Sequence, residues 1–582
     1  MTSPYTIKPL QRLFGLLRPD KRDIYYIYTY AIFAGLISLS LPLGVQGIVG
    51  LIAGGAVSAS LILLVVAVTT ASALSGILVA MQLSATETIQ QRIFTRAAFE
   101  FAFRIPRLQL DNLANYYPPE LVNRFFDTLT LQKGIPKLLI DASTAVLNVI
   151  FGLILISFYH PFFAFFGLAL LLVISLIFRI TGPMGLKTSL KESTYKYEVA
   201  HWLEELARSM STFKLAGDTP LPMQRADDLV SNYLDNRKKH FRILITQYWV
   251  IIVFKVIVTA GLLLLGSILV IDNQINIGQF VASEIVIISI ITSIEKLMLT
   301  MDTVYDTLTA LEKLGIVTDL PVESEKGLPF EKIDTGEGMN LSVQELYFKY
   351  EDAPKPTLNN LSFEITAGEK VALAGYNGSG KTTLIQVVAG LFSNFKGNIS
   401  YNGFPARSLD LASLRHHIGD HCSQENIFSG SLLENISLGH LDVSLEDVVW
   451  AVKHVGLEDF VKRQPNGYNT ILLPEGKNIP KSTRAKILLA RSIACRPKLI
   501  VLENIRTLME QSDRHRISSF LADAQHKWTV LAATDDPVFA SHCQRVIILQ
   551  EGKIVADDTF ENIQKSPHFL KVFKHNRTEV AS

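Results

Sequence analysis

Six long stretches of apolar residues dominate the first half of this chain and limit what it can fold into. They run near residues 23–53, 58–83, 138–159, 161–180, 248–271 and 277–298. A helix of about 20 apolar residues crosses the hydrocarbon core of a bilayer. Only 19% of the 582 residues are charged, and helices buried in a soluble protein normally keep a polar face. The stretches therefore predict a membrane domain of six spans over residues 1–317.

The charges between the spans predict their orientation. The connections 54–60, 159–161 and 272–278 contain no Lys or Arg, whereas the N-terminus and the connections 84–137 and 181–247 are rich in both. Basic segments stay on the cytoplasmic side of a membrane. We expect a multi-pass protein in the lipid bilayer, with the N- and C-termini in the cytoplasm. A net charge of +1 gives no reason to expect binding to nucleic acid.

A glycine-rich motif lies beyond the spans, in the run Gly375-Tyr-Asn-Gly-Ser-Gly-Lys-Thr-Thr383. An apolar strand pattern precedes it and a helical pattern follows, which is the context of a phosphate-binding P-loop rather than of a plain turn. Backbone N–H groups of such a loop face phosphates, while Lys381 would reach the β and γ oxygens and Thr382 would bind Mg²⁺. The predicted ATP-binding residues of the loop are Gly375, Asn377, Gly378, Ser379, Gly380, Lys381, Thr382 and Thr383.

The motif predicts a second domain of α/β type over residues 341–582. A polar segment rich in Pro and Gly, residues 318–340, would link it to the membrane domain.

Six spans, long cytoplasmic extensions and a C-terminal P-loop domain resemble a half-transporter of the ABC exporter superfamily. The resemblance implies a membrane protein in which a six-helix ABC exporter transmembrane domain is fused to an α/β P-loop ABC nucleotide-binding domain. Two further residues match the family. Tyr350 corresponds to the aromatic that stacks on adenine, and Gln424 to the glutamine that senses Mg²⁺ and the γ-phosphate.

The family's signature motif, Leu-Ser-Gly-Gly-Gln, is replaced here by Ile479-Pro-Lys-Ser-Thr483. In the family this motif completes the nucleotide site of a partner chain, so the resemblance places Pro480, Lys481 and Ser482 against a partner's nucleotide. Pro480 has neither a hydroxyl nor an N–H. Lys481 adds a side chain where the family's glycine allows close approach, although its positive charge would compensate in part.

Two residues that act in hydrolysis in the family are also replaced. Glu503 would still contact Mg²⁺, but Asn504 stands where the family has its catalytic glutamate, and a neutral amide cannot accept a proton near pH 7. Asp535 stands at the position of the switch histidine, where its negative charge would face the γ-phosphate. We therefore expect the chain to bind ATP and Mg²⁺ and to hydrolyse ATP very slowly or not at all.

Two functions remain open at this point. The first is an ABC-type exporter subunit, a homodimer or a heterodimer with another half-transporter. The second is a non-hydrolysing nucleotide-binding pseudo-ATPase that regulates or scaffolds a complex. Residues 39–45 and 276–282 are similar to the type I secretion and bacteriocin-exporter branch. That resemblance implies a bacterial inner membrane, a peptide, protein or other large amphipathic substrate, a periplasmic adaptor and an outer-membrane channel. No peptidase domain is expected before the first span.

The membrane half contains weaker candidates for functional residues. Among the charged residues of the predicted spans, Lys255 and Glu284 stand out, and ionisable residues within a membrane are candidates for function. Lys255 is expected to reach the cytoplasmic surface, and Glu284 to line a cargo path or make a structural hydrogen bond. Residues 104–126 are expected to touch the nucleotide domain, as similar turns do in the exporters.

Overall fold

The computed structural model of the chain describes residues 9–53, 59–113, 116–159, 161–324, 326–421, 426–503 and 511–573. It divides into two compact units. The membrane unit comprises Met1–Pro106 and Tyr116–Leu320, and the nucleotide unit comprises Arg107–Asn115 and Pro321–Ser582. The proposed limits of the linker, residues 318–340, remain a prediction.

The regular elements in the described part of the membrane unit are all helices. Its helices are α1 Pro9–Leu17, α2 Lys21–Ser38, α3 Ser40–Ala53, α4 Ala59–Arg104, α5 Pro118–Asn123, α6 Asp127–Lys137, α7 Ser143–Ser157, α8 Pro161–Arg208, α9 Met210–Leu215, α10 Leu221–Ile271 and α11 Ile277–Thr318. Helix α4 has 46 residues, or about 70 Å at 1.5 Å per residue, more than twice the thickness of a bilayer core. Helix α4 is therefore long enough to continue beyond a membrane.

Five described segments are long and apolar enough to cross a membrane: Pro9–Ile52, Ala59–Arg107, Pro118–Ser157, Leu221–Ile271 and Ile277–Thr318. They overlap five of the six predicted spans almost completely. The remaining one, residues 161–180, lies in α8, where several side chains between 161 and 174 are outside the described part. That span remains a prediction.

The first predicted span differs in one respect from a single straight helix. Residues 23–53 form two helices, α2 and α3, with a turn at Leu39 between them. Pro42 explains the break, because it lacks a backbone N–H and its ring clashes with the carbonyl four residues earlier, at Ser38.

Ion pairs cross the membrane unit near the end of the sixth predicted span. Lys255 on α10 lies 2.8 Å from Glu295 on α11, measured from Nζ to Oε1. The next residue of α11, Lys296, lies 2.8 Å from Asp141 between α6 and α7. Lys255 therefore has a partner on a neighbouring helix, and that partner is a residue that the sequence pattern did not single out.

The nucleotide unit is of α/β type. Its strands are β1 Leu341–Phe348, β2 Leu358–Ile365, β3 Lys370–Gly375, β4 Lys396–Tyr401, β5 Phe404–Pro405, β6 Ile418–His421, β7 Gly430–Ser431, β8 Ile471–Leu472, β9 Leu499–Glu503, β10 Thr529–Ala533, β11 Arg545–Gln550 and β12 Lys553–Asp558. Its helices are α12 Lys381–Val388, α13 Leu411–His416, α14 Leu432–Ser437, α15 Leu445–Val455, α16 Glu458–Arg463, α17 Lys481–Ala494, α18 Gln511–Ala522, α19 Pro537–His542, α20 Phe560–Lys565 and α21 Pro567–Val572.

A six-stranded sheet of order β12-β11-β3-β10-β9-β6 forms the centre of this unit. Strands β11, β3, β10 and β9 are apolar and buried on both faces, as in parallel sheets covered by helices, whereas the edge strand β12 is antiparallel and largely exposed. Val371 and Leu373 pack into a core with β1 and β2, which we call the first core. Ala372 and Ala374 face a second core, built largely from α14, α15 and α17. The alternation places neighbouring residues of one strand in different cores.

The segment before β1 is packed rather than free. Phe330, Ile333 and Met339 lie in the first core, and Phe330 and Met339 are fully buried. The backbone also joins the unit, because Leu328 N donates to the carbonyl of Ser408 at 2.8 Å. Much of the predicted linker is therefore a structural part of the nucleotide unit.

A short segment from the membrane half of the sequence also belongs to this unit. Within Arg107–Asn115, the Asp111 carboxylate accepts hydrogen bonds from the backbone N–H of Ser393 at 2.8 Å and of Asn394 at 3.2 Å. Leu108 forms an antiparallel bridge with Val322. These residues fall within the stretch 104–126 that we expected to touch the nucleotide domain.

Candidate nucleotide site

Three neighbouring strands bring the predicted site residues to one edge of the sheet. Strand β10 is parallel to both β3 and β9, and Ala533 is in register with Leu373 on one side and Glu503 on the other. The P-loop follows β3, Glu503 ends β9 and Asp535 comes two residues after β10 ends. Ligands of α/β sheets bind at the carboxyl ends of such strands.

A cavity of about 260 Å³ opens at this edge. It is lined by Thr357, Gly375, Asn377, Gly378, Ser379, Gly380, Lys381, Thr382, Thr383, Glu503, Ala533, Thr534 and Asp535. All eight predicted P-loop residues are thus brought together with Glu503 and Asp535.

The P-loop needs glycine at two points for different reasons. Gly380 has φ of +100° and directly precedes α12, and a Cβ there would lie 2.8 Å from the carbonyl oxygen of Thr357. At Gly375 a Cβ would lie 2.4 Å from the carbonyl oxygen of Leu549. The loop therefore lies close against neighbouring backbone, and it leads into the N-terminus of a helix, where N–H groups and the helix dipole favour anions.

Lys381 is folded onto its own loop. Its Nζ donates to the carbonyl oxygens of Gly375 at 2.6 Å and Tyr376 at 2.8 Å. Burial lowers the pKa of Lys381, while the negative charges of Asp535 and Glu503 act to raise it. The hydroxyl of Ser379 is buried and has no hydrogen-bond partner among the described residues. An ammonium group and a buried polar atom without a partner fit a site for phosphate.

The structure describes two of the three predicted magnesium ligands. The hydroxyl of Thr382 donates to a carboxylate oxygen of Glu503, so two oxygen ligands of the kind that Mg²⁺ prefers are already adjacent. The third predicted ligand, Gln424, lies outside the described residues. The two oxygens that are described fit the ion.

Tyr350 lies beside the P-loop helix. Its hydroxyl is 3.1 Å from the hydroxyl of Thr383, and the side chain is 37% exposed. Its ring contacts Phe348 and Phe392 edge-on. A partly exposed ring next to the P-loop can stack on a planar base.

Of the two replaced hydrolysis residues, one is described. The side chain of Asp535 is exposed and lines the cavity, whereas its neighbour Asp536 is buried and caps α19 through a hydrogen bond from the N–H of Val538 at 3.0 Å. Asn504 lies outside the described residues. The only carboxylates among the described residues that line the cavity are therefore those of Asp535 and Glu503.

The replaced signature motif lies at the N-terminus of α17. Pro480 is the residue before the first turn, and it makes no side-chain cap. Pro480 and Lys481 are exposed and Ser482 is half-buried. None of the three is among the described residues that line the cavity.

Three residues of the cavity were not predicted as site residues from the sequence: Thr357, Ala533 and Thr534. Thr534 directly precedes Asp535 at the end of β10, so its position was available from the strand pattern. Thr357 comes from the turn before β2, which belongs to another sheet, and no local pattern connects it to the P-loop.

Comparisons with known proteins agree with this geometry. Residues 24–294 match the family model of the ABC transporter transmembrane region, and residues 358–505 match that of the ABC transporter. The ATP-dependent lipid A-core flippase of Legionella pneumophila is 26% identical over 301 residues, which are 52% of this chain and 50% of the flippase. The alpha-hemolysin translocation ATP-binding protein HlyB of Escherichia coli is 25% identical over 307 residues, 53% of this chain and 43% of HlyB. The chain thus spans about half the length of these curated relatives.

A solved structure extends the likeness to the whole fold. A bacterial Atm1-family ABC exporter with ATP bound superposes with a TM-score of 0.83 and 18% sequence identity, and the alignment covers 98% of this chain and 100% of that one. The predicted fold class is confirmed. The chain has the type I ABC exporter fold, in which an ABC transporter transmembrane region is fused to an ABC transporter ATP-binding domain.

Proposed function

We propose that this chain is a subunit of an ABC exporter that binds ATP with Mg²⁺ and couples dimerisation of its ATP-binding domains to export across the bacterial inner membrane. The observation that carries the proposal is the complete phosphate cradle, in which the P-loop, Lys381, Thr382 and Glu503 share one cavity. The long helices of the membrane unit supply the spans.

In this proposal each group of the cradle has a separate task. The backbone N–H groups at the start of α12 and the ammonium group of Lys381 hold the phosphates. Thr382 and Glu503 hold the magnesium ion, which supplies charge neutralisation when bound. Tyr350 orients the base. Lys381 must first leave the carbonyl oxygens of Gly375 and Tyr376, so phosphate replaces hydrogen bonds that are already present.

We further propose that hydrolysis is impaired. The exposed carboxylate of Asp535 lines the phosphate cavity, where it can neither donate a hydrogen bond to a γ-phosphate nor avoid repelling it. At position 504 an amide replaces a base, and at Pro480 the start of α17 offers no N–H to a partner's nucleotide. The changes at positions 504 and 480 affect proton transfer and charge stabilisation, whereas the charge of Asp535 also weakens ATP binding without preventing it.

The test uses the full chain purified in nanodiscs, with ATP binding and steady-state turnover measured together. We expect Mg²⁺-dependent ATP binding with turnover at background, and loss of binding in Lys381→Ala. The matched control is Lys553→Ala, at an exposed lysine of β12 outside the cavity. Turnover by the parent chain that Lys381→Ala abolishes would refute impaired hydrolysis. If the double variant Asn504→Glu with Asp535→His hydrolyses ATP, the defect lies at those two positions. If it still does not hydrolyse ATP, the defect lies at residues 479–483.

A second candidate is a non-hydrolysing pseudo-ATPase that regulates or scaffolds a membrane complex, and the placement of Asp535 in the cavity favours it. The two are separated by transport in proteoliposomes. Bacteria with and without the gene would first be compared for exported peptides, proteins and lipids. If the purified chain, alone or with a second half-transporter, transports the molecule that bacteria without the gene fail to export, the result supports the exporter. Unchanged nucleotide binding without movement supports the regulator.

The names of the relatives suggest partners and substrate classes for this test. One relative is called a lipid A-core flippase and another a hemolysin translocation protein, so large amphipathic substrates are the class to examine first. We propose a dimer, either of two copies or with another half-transporter. For a type I secretion role, a periplasmic adaptor and an outer-membrane channel would be the further partners.

A further inference from the structure

A group of three metal-binding side chains lies in the nucleotide unit, outside the cavity described above. His416 Nε2 is 2.6 Å from a carboxylate oxygen of Asp442, and the ring of His416 is 4.6 Å from that of His440, centre to centre. One nitrogen of each histidine and one oxygen of Asp442 all lie within 4.8 Å of one another. Two imidazole nitrogens and a carboxylate oxygen thus lie close together on the surface of this unit.

The three residues come from different parts of the fold. His416 ends α13, between Leu414 and Ile418 of the first core. His440 and Asp442 lie in the loop between α14 and α15, which pack in the second core. Any ligand held by all three would connect the two cores on either side of the central sheet.

We propose that His416, His440 and Asp442 form a binding site for a divalent transition metal ion, with Zn²⁺ as the best fit. Two imidazole nitrogens and one carboxylate oxygen suit zinc, whereas Ca²⁺ and Mg²⁺ prefer oxygen ligands alone. Bond lengths of about 2.0–2.2 Å place donors about 3–3.5 Å apart in a tetrahedral site. The donors must therefore approach by about 1 Å from their widest separation, which exposed side chains such as Asp442, at 63% exposure, can do.

The surroundings leave room for the rest of the coordination shell. A cavity of about 80 Å³ is lined by both His416 and His440, which is enough space for water in the fourth position. Two arginines share its wall, but each is engaged elsewhere: Arg415 pairs with Glu323 at 2.6 and 2.8 Å, and Arg491 donates to the carbonyl oxygen of Asn435 at 2.8 Å.

The experiment uses the full chain in nanodiscs, purified without a histidine tag and stripped of metal with a chelator. Zn²⁺ is titrated in competition with a chromophoric chelator, and Co²⁺ is titrated while its visible absorption is recorded. We expect one Zn²⁺ per chain and the intense visible bands of tetrahedral cobalt. His416→Ala and His440→Ala should each weaken binding at least about tenfold, because even loss of a group that only supports a metal ligand costs about 10–100-fold.

The matched control is His417→Gln, next to His416 in sequence. The Nδ1 of His417 is 3.0 Å from the carbonyl oxygen of Ser413, and His417 is not part of the cluster. This variant should keep the zinc affinity of the parent, and zinc should raise the unfolding temperature of both. Retained ATP binding shows that each variant is folded. The proposal is overturned if the double variant His416→Ala with His440→Ala binds Zn²⁺ and Co²⁺ as the parent does, or if the parent binds no zinc.

Discussion

Replacing Asp535 by asparagine should tighten ATP binding, because it removes a negative charge from the phosphate cavity while keeping the shape of the side chain. Asp535 and the P-loop line the same cavity of 260 Å³. A phosphate held by Lys381 would share that space with the carboxylate. The effect should be larger for ATP than for ADP, because only ATP carries the γ-phosphate.

The size of the effect follows from the size of the cavity. A sphere of 260 Å³ has a diameter of about 8 Å, and two unit charges that far apart repel by about 0.5 kcal/mol in water and about 2 kcal/mol at an effective dielectric constant of about 20. Asp535 is exposed, so solvent weakens the repulsion and favours the lower end of this energy range. We expect Asp535→Asn to lower the dissociation constant of ATP by about 2-fold to 30-fold.

The assay is displacement of a fluorescent nucleotide analogue from the purified chain in nanodiscs, with Mg²⁺ present and at two salt concentrations. Salt should shrink the difference between parent and variant, because the repulsion acts partly through solvent. Glu561→Gln is the matched control, since Glu561 is an exposed carboxylate on α20 that does not line the cavity. Equal ATP affinities in parent and Asp535→Asn, or an equal gain for ADP, would show that Asp535 does not face the γ-phosphate.

Three further outcomes are expected. Thr382→Val should leave ATP binding without Mg²⁺ intact and abolish the gain from Mg²⁺ in the same displacement assay; a gain that persists would contradict the role of the hydroxyl. Lys255→Met, which leaves Glu295 without its ion pair, should destabilise the chain by about 1–3 kcal/mol in thermal unfolding, and Lys255→Met with Glu295→Gln should recover most of the loss. Burial lowers the pKa of His421 to about 4, below about 6.5 in an unfolded chain. The stability that neutral, buried His421 contributes is therefore complete above pH 6.5. It falls as the pH drops towards 4, and the loss is about 2 kcal/mol at pH 5. His421→Leu should flatten this decline in stability, and an unchanged decline would exclude His421 as the cause.

Features set by nearby residues in the sequence could be predicted. The apolar stretches predicted the membrane spans, since length and hydropathy alone separate a bilayer-spanning helix from a soluble one, and the fold class followed from the resemblance to the ABC exporters. The P-loop could be recognised because its strand, turn and helix are consecutive. Asp535 was placed by its match to the family's switch position, and the structure explains the match, because β10 is parallel to β3 and ends at the same edge of the sheet.

Features set by contacts across the fold could not be predicted from the sequence. The pairing of Lys255 with Glu295 depends on the rotation of two helices about their axes, which hydropathy does not give. Thr357 enters the cavity through a turn of another sheet. The approach of His416 to His440 and Asp442 depends on how α13 meets the loop after α14, and the spacing of these residues in the sequence is not that of a familiar metal motif.

The burial of the segment before β1 determines where an excised ATP-binding domain can begin. A fragment starting at Leu341 would lack Phe330, Ile333 and Met339, which are 0%, 7% and 0% exposed. Burying such a side chain stabilises a fold by about 1.5–3 kcal/mol, so the fragment would lose about 4–9 kcal/mol. That loss is most of the free energy of unfolding of a typical domain, which is roughly 5–15 kcal/mol. An autonomously folding fragment must therefore start before Leu328, and one cut at the first strand would expose an apolar surface and aggregate.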